Sequence, residues 1–389
     1  MWNIFKVVNL IWLLSSTYMW LSTYLPLLPL LVLVNVAMII CMSFLPIRVE
    51  FNKSTGLILA AICGLVIWST LTDGYVMGIF TFLSYLPVLS LIMLPVDYQK
   101  DLLRFVTKWY AIMLGIGLVE YFACFVISLP SIGNFDYTGY PTYINHFFYL
   151  ETTIDESTVV RFNAFFLEPG HQALVSSFLM LANSYKFKEN PYLYILLAGV
   201  IFSFSLAGYL LTSVAVALLF TKSMKRALLL ISAFVAFVVV VLNWNGGDNT
   251  MYELIISRLE YDEEKGVKGN NRYYNDTDFI FQQAQKKGRT LTGVQEYVNM
   301  ELVGGAGFKI YVIKYGWVGV ILVALLYLSL IPKNRNLRYT VIFYLVLSLC
   351  FIQRAYPTWY SWLLPYVLGI YINRKQELPY LSDANALPE

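Results

Sequence analysis

Charge is what this sequence has least of. Of its 389 residues only 13% are Asp, Glu, Lys or Arg, and the net charge is +3. Globular chains carry about 25% charged residues, so the polar surface that keeps a soluble chain of this length dispersed is missing. A balance so near neutral also argues against a nucleic-acid partner. Histidine is almost absent: His146 and His171 are the only two. A multi-histidine metal centre cannot be built from them, and neither a metal site nor a cofactor is expected. The four cysteines, Cys41, Cys63, Cys124 and Cys350, all fall in apolar runs with no CxxC pair. They read as small buried hydrophobes. The sequence has no internal repeat and no low-complexity tract. No small-residue cleavage site follows Lys6 and the first apolar run continues far too long, so a signal peptide is not expected.

Apolar length is what the chain has in abundance. It is 58% hydrophobic with a mean hydropathy of +0.62. Aromatic residues reach 17%, and such rings sit well at a membrane–water boundary. A spanning helix needs about 20 apolar residues. Runs at 6–23, 26–45, 55–72, 75–95, 106–129, 163–185, 191–204, 207–221, 227–243, 308–331, 339–353 and 357–372 therefore predict an all-α polytopic membrane protein of about twelve spans. The stretch 191–221 reads either as one long helix or as two short ones meeting at Ser205-Leu206-Ala207-Gly208. Basic residues set the orientation. With a cytoplasmic N-terminus, the inner loops hold Lys6, Arg48, Lys53, Lys100, Arg104, Lys108, Lys186, Lys188, Lys222, Lys225, Arg226, Lys333, Arg335, Arg338, Arg374 and Lys375. That alternation needs two helices between 186 and 222, and it leaves both termini cytoplasmic.

Residues 1–389 thus read as one integral membrane domain with extracytoplasmic loops at 130–162 and 244–307 and a cytoplasmic tail at 376–389. Within the larger loop, Asn275 to Gly288 reads as a short helix capped by Asp276 or Thr277, with Lys286 and Lys287 at its end and Gly288 closing it.

The most unusual stretch is Arg161-Phe162-Asn163-Ala164-Phe165-Phe166-Leu167-Glu168-Pro169-Gly170-His171. It sets an arginine at the mouth of a span and a carboxylate and an imidazole just inside. Ionisable groups at that depth are functional candidates, and Pro169 with Gly170 predicts a kink that frees backbone polar groups. The alternative is that Glu168 pairs with a lysine or arginine and His171 packs in the bundle. Arg258, Arg272 and Arg289 in the larger loop present planar forks suited to phosphate oxygens. They could equally meet Glu260, Asp262, Glu263 and Glu264. Arg354, at the outer end of a span, is either a ligand contact or an interfacial snorkel. Gly304-Gly305-Ala306-Gly307 lacks the lysine context of a phosphate loop. Glu296 and Glu301 before it are further candidates for a base.

The pattern resembles the Wzy family of bacterial polysaccharide polymerases, relatives of the O-antigen ligases. The resemblance rests on Arg161 to Gly170, on Asn270-Asn271-Arg272 in the late outer loop, and on the glycine-rich return at 304–309 followed by Lys314-Tyr315-Gly316-Trp317-Val318-Gly319. It implies glycosyl transfer outside the membrane, from a glycan on undecaprenyl diphosphate to a lipid-linked repeat unit. Arg161 and Arg272 would stabilise the leaving diphosphate, with Arg354 as a weaker third and Arg289 and Arg258 as further contacts. Diphosphate is a good leaving group, so a metal-independent reaction is implied. Glu168, His171 and Glu301 rank in that order as the base. Implied partners are membrane lipids, a chain-length regulator and a flippase. The ligases carry a histidine in the late outer loop, and no histidine follows His171 here, which argues against a ligase. A transporter or flippase for lipid-linked oligosaccharide is the other alternative, disfavoured because the two halves are unrelated.

Overall fold

The computed structural model describes residues 1–17, 27–45, 53–136, 142–152, 161–220, 261–262, 266–267, 275–294, 307–333, 335–354, 357 and 359–374, with isolated helical positions at 225, 229, 232 and 236. In chain order the helices are α1 (Trp2–Ser15), α2 (Leu27–Ser43), α3 (Lys53–Asp73), α4 (Tyr75–Met93) and α5 (Val96–Cys124). Strands β1 (Gly133–Phe135), β2 (Tyr143–Asn145) and β3 (Leu150–Thr152) follow, then α6 (Pro169–Ala182), α7 (Tyr192–Phe202) and α8 (Leu206–Phe220). A short ribbon of β4 (Tyr261–Asp262) and β5 (Gly266–Val267) precedes α9 (Asn275–Lys286), α10 (Gly307–Ser329), α11 (Leu337–Gln353) and α12 (Tyr360–Ile372).

Four helices are long and apolar enough to cross a membrane: residues 55–73, 75–93, 96–124 and 307–329. Six shorter apolar helices of 10–17 residues accompany them among the described residues. A helix overlaps eleven of the twelve expected runs; of the ninth, 227–243, only positions 229, 232 and 236 are described, and they are helical. The 191–221 stretch is two helices, with Phe204 at φ +47° between them.

Helices α6 and α12 form the centre. Helix α12 packs on α1, α4, α5, α6 and α11, and α6 packs on α7 and α8 as well. Tyrosines pin this centre, because a hydroxyl removed from water must find an acceptor. Tyr339 donates to Leu181 O at 2.5 Å and Tyr366 to Tyr327 O at 2.9 Å, while Tyr360 donates to Asn9 Oδ1. At one end of the bundle Lys6 and Trp2 of α1 share Asp101 of α5, at 3.0 and 2.6 Å. Arg338 donates to the last carbonyls of α8, Leu218 and Leu219.

Three expectations are adjusted. The described residues are mostly helical, but the described part of the segment 130–162 also holds three short strands. β1, β2 and β3 form an antiparallel sheet in that order, with Ile144 opposite Asn134 and Glu151. Tyr143, Asn145 and Leu150 give it a buried face, and the β2–β3 turn docks on α5 at Gly117. A Cβ there would lie 2.5 Å from Phe148 O, so only glycine admits so close a backbone. Second, Pro169 does not kink a helix begun at 163; it starts α6. Its ring excludes helical geometry for the residue before it, and Glu168 is extended at φ −129°, ψ 136°. Third, α9 begins at Asn275, so Asp276 and Thr277 lie in its first turn instead of capping it. Gly288 does close it, at φ +65°.

Helix α10 is broken at Gly316, at φ +68° and ψ 179°. The segment after α9 fills the break. Trp317 and Val318 donate to Thr290 O and Leu291 O at 2.9 and 3.1 Å, and Val294 donates to Ile313 O at 2.7 Å. Broken helices persist in a membrane protein where other protein satisfies the freed backbone.

Candidate functional site

The segment 161–168 reaches the first turn of α6 through a turn, with Ala164 at φ +50° and Phe166 N–H donating to Asn163 O at 3.0 Å, before Glu168 extends. Its aromatic residues anchor it, for Phe162, Phe165 and Phe166 are fully buried. Its backbone bonds are borrowed from neighbours: Phe162 N–H donates to Phe202 O at 3.0 Å, and Leu150 N–H of β3 donates to Ala164 O at 2.8 Å. Extended chain before a proline that can serve as the first residue of a helix is the local reason for the geometry.

This path delivers Glu168 to Arg354. The Arg354 guanidinium lies 2.5 Å from Glu168 Oε2. Arg354 follows the last turn of α11, its N–H donating to Cys350 O at 2.9 Å, and it is only 8% exposed. The Glu168 side chain keeps 25% of its surface open. Gly170 makes the pairing possible: a Cβ there would sit 2.5 Å from Arg354 Nη2 and 3.7 Å from Ser205 Oγ. Beneath the pair, His171 is 1% exposed and its ring meets Trp359 edge-on at 5.3 Å. Trp359 in turn stacks on Trp362.

Arg161 is held one junction away. Its Nε and Nη2 donate to Ser203 O and Phe204 O at 3.1 and 3.0 Å. These carbonyls end α7, where the helix dipole favours a cation. On the other side Tyr143 of β2 donates to Leu167 O at 2.5 Å. Burial, and then the Glu168 carboxylate, push the Tyr143 hydroxyl well above its usual value, so it stays a donor. Two buried amides complete the surroundings. Asn163 is 1% exposed with neither amide atom bonded among the described residues, and Gln172 keeps an unbonded Oε1 there.

The structure therefore brings together Glu168, His171 and Arg354, with Arg161 on the adjoining α7–α8 junction. Glu168 is ion-paired with an arginine, Arg354. Arg354 is buried in that pair and does not snorkel. Arg289 is elsewhere, exposed after α9. Arg258, Arg272 and Glu301 lie outside the described residues, as do Glu296 and residues 304–306. Sequence reasoning missed Tyr143 and Trp359, which carry no motif and arrive from other elements. It read Gly170 as a loosened turn, whereas the glycine makes room for a guanidinium.

No protein-family model, no curated protein and no solved structure matches this chain.

Chemically the arrangement offers a cation fixed by one carboxylate oxygen, a carboxylate with its remaining surface open, and a second guanidinium anchored on backbone carbonyls. Such a set binds an anionic group and receives a proton from a neighbouring hydroxyl.

Proposed function

We propose that this chain is a Wzy-type polymerase of the bacterial cytoplasmic membrane that joins undecaprenyl-diphosphate-linked repeat units into surface polysaccharide. On this reading it crosses the bilayer about twelve times with both termini cytoplasmic, and residues 130–162 and 244–307 face outward. The observation that carries the reading is the Arg354–Glu168 pair seated over Gly170 at the start of α6. An ion pair at the end of a bundle this apolar is costly unless it is used.

The acceptor hydroxyl oxygen attacks the anomeric carbon of the donor. The bond from that carbon to the diphosphate breaks, and the lipid diphosphate departs with the electron pair. The hydroxyl proton passes to Glu168. Of the two described candidates for the base, Glu168 ranks first because it is a quarter open, whereas His171 is sealed against Trp359. Arg354 and Arg161, with Arg272 from the large loop, stabilise the charge that grows on the leaving diphosphate. Both lipid-anchored substrates share one leaflet, which supplies proximity. A flippase delivering the repeat unit and a chain-length regulator are the partners this role requires.

The test replaces the chromosomal copy with Glu168→Gln, Arg354→Lys or Arg161→Ala and resolves the surface polysaccharide by gel. Glu168→Gln is expected to collapse the ladder to single repeat units, with about a 10²–10⁴-fold loss of rate. Immunoblots of membranes confirm insertion. Wild-type ladders from all three inserted variants would sink the assignment. Long lipid-linked polymer that is never transferred would favour a ligase.

A further inference from the structure

A second cluster of reactive side chains lies at the end of α5, and it uses none of the residues assigned to glycosyl transfer. Cys124 is the last residue of α5, His146 follows β2, and Glu151 lies in β3. One ligand atom from each falls within 4.8 Å of the others. His146 Nε2 is 2.9 Å from Glu151 Oε2. Sequence separations of 22 and 5 residues carry no metal signature. The sheet creates the cluster by folding back on α5.

Three features hold it in place. The β2–β3 turn is closed by His146 N–H donating to Tyr149 O at 2.9 Å, with Phe147 at φ +84°. Asn145 Oδ1 supports that strained residue by accepting from Phe147 N–H at 2.8 Å. Glu120, one turn before Cys124 on α5, accepts from Phe148 N–H at 3.1 Å and docks the turn on the helix.

The imidazole orientation is the informative part. His146 Nδ1 is 3.0 Å from Pro130 O. A carbonyl only accepts, so Nδ1 carries the hydrogen and Nε2 is the atom turned to Glu151 and Cys124. Donation of one ring N–H to a backbone carbonyl, with the other nitrogen facing a carboxylate and a sulfur, is how proteins orient a metal-ligating histidine. The His146 side chain is 4% exposed and that of Glu151 is 34% exposed. All three ligands line one cleft of about 650 Å³, together with Ser131 and Asn134. The cleft leaves room for a fourth ligand.

We propose that Cys124, His146 and Glu151 bind one divalent transition-metal ion of the zinc class. Thiolate sulfur disfavours magnesium and calcium, and a mixed S, N, O set with an open position suits Zn²⁺. Bonds of about 2.0 Å to nitrogen and oxygen and about 2.3 Å to sulfur require the three atoms to draw in by no more than about an ångström. Binding releases the thiol proton to solvent, and the ion takes the lone pairs of Sγ, Nε2 and a Glu151 oxygen.

The test uses the full chain in detergent, stripped with chelator and dialysed against Zn²⁺, with bound metal counted by mass spectrometry. One ion per chain is expected, weakened at least about tenfold in both Cys124→Ser and Glu151→Gln. These variants leave the His146–Pro130 contact untouched and so spare the turn. Alkylation of Cys124, read peptide by peptide, is expected to slow when Zn²⁺ is present. No bound ion in the wild type, undiminished binding in both variants, or a Cys124 alkylation rate indifferent to Zn²⁺ would each overturn the proposal.

Discussion

The centre and the rim of this bundle are built from equally apolar helices that do opposite things with their surfaces. Over residues 170–182 and 360–371, α6 and α12 are buried on every side. In α3 and α4 only 17% and 33% of the most apolar stretch is buried, and Leu57, Ile67, Leu71, Ile79 and Phe82 face outward. Long α3 and α4 are at the rim, whereas α6 and α12, of 14 and 13 residues, are the centre. Water cannot sort them, because a lipid tail accepts an outward Leu as readily as the bundle accepts an inward one. Buried polar residues mark α6 within that centre. His171, Gln172, Ser176 and Ser177 lie buried in α6, where hydrogen bonds and close packing replace the missing hydrophobic drive. The candidate site grows from that polar centre.

The largest difference is expected from truncation of one ring on each side of this divide. Trp362 of α12 is 1% exposed and packs on Phe178 at 5.3 Å. Trp362→Ala is expected to cost about 3–5 kcal/mol through the cavity it leaves. Ile79→Ala, at a side chain 55% exposed in α4, is expected to cost less than about 0.5 kcal/mol. Thermal unfolding in one detergent compares them, and equal losses would abolish the distinction between centre and rim.

A smaller effect is expected where the rim borrows structure from a loop. Gly316 lets α10 break, and a Cβ there would meet Leu291 O at 2.3 Å and Gly293 N at 2.6 Å with φ at +68°. Gly316→Ala is expected to cost about 1–3 kcal/mol in backbone strain. It should also expel residues 289–294 from the break, seen as faster proteolysis there. Unchanged cleavage would mean that the insertion does not depend on the glycine.

The same contrast explains what the sequence made legible. Runs of about 20 apolar residues mark helices whichever way they face, so α2 to α5 and α10 to α12 were readable. The two-helix reading of 191–221 followed from charge alternation alone. The sheet was not readable, because strands of three residues carry too little period to register. In the site, Glu168 and Arg354 were each nominated as an ionisable group at the end of an apolar run. Their partnership was not, since 186 residues separate them and only the packing of α11 beside α6 closes the gap. Arg161 was nominated for a ligand, yet it also completes α7, a demand no spacing announces.

The smallest effect tests the sheet's hold on the centre. Tyr143 reaches from β2 to Leu167 O, one residue before Glu168. Tyr143→Phe is expected to cost about 1 kcal/mol. The pH dependence identifies the cause. The folded hydroxyl titrates well above its usual value, whereas in the unfolded chain it ionises near about pH 10. Raising the pH past that point ionises Tyr143 in the unfolded state alone, so its contribution is complete below about pH 10 and declines above it. The stability gap between wild type and Tyr143→Phe should therefore narrow as pH rises from about 8 to about 11. A gap that holds constant across that range would show that burial and the Glu168 charge do not hold the Tyr143 proton in place in the folded state.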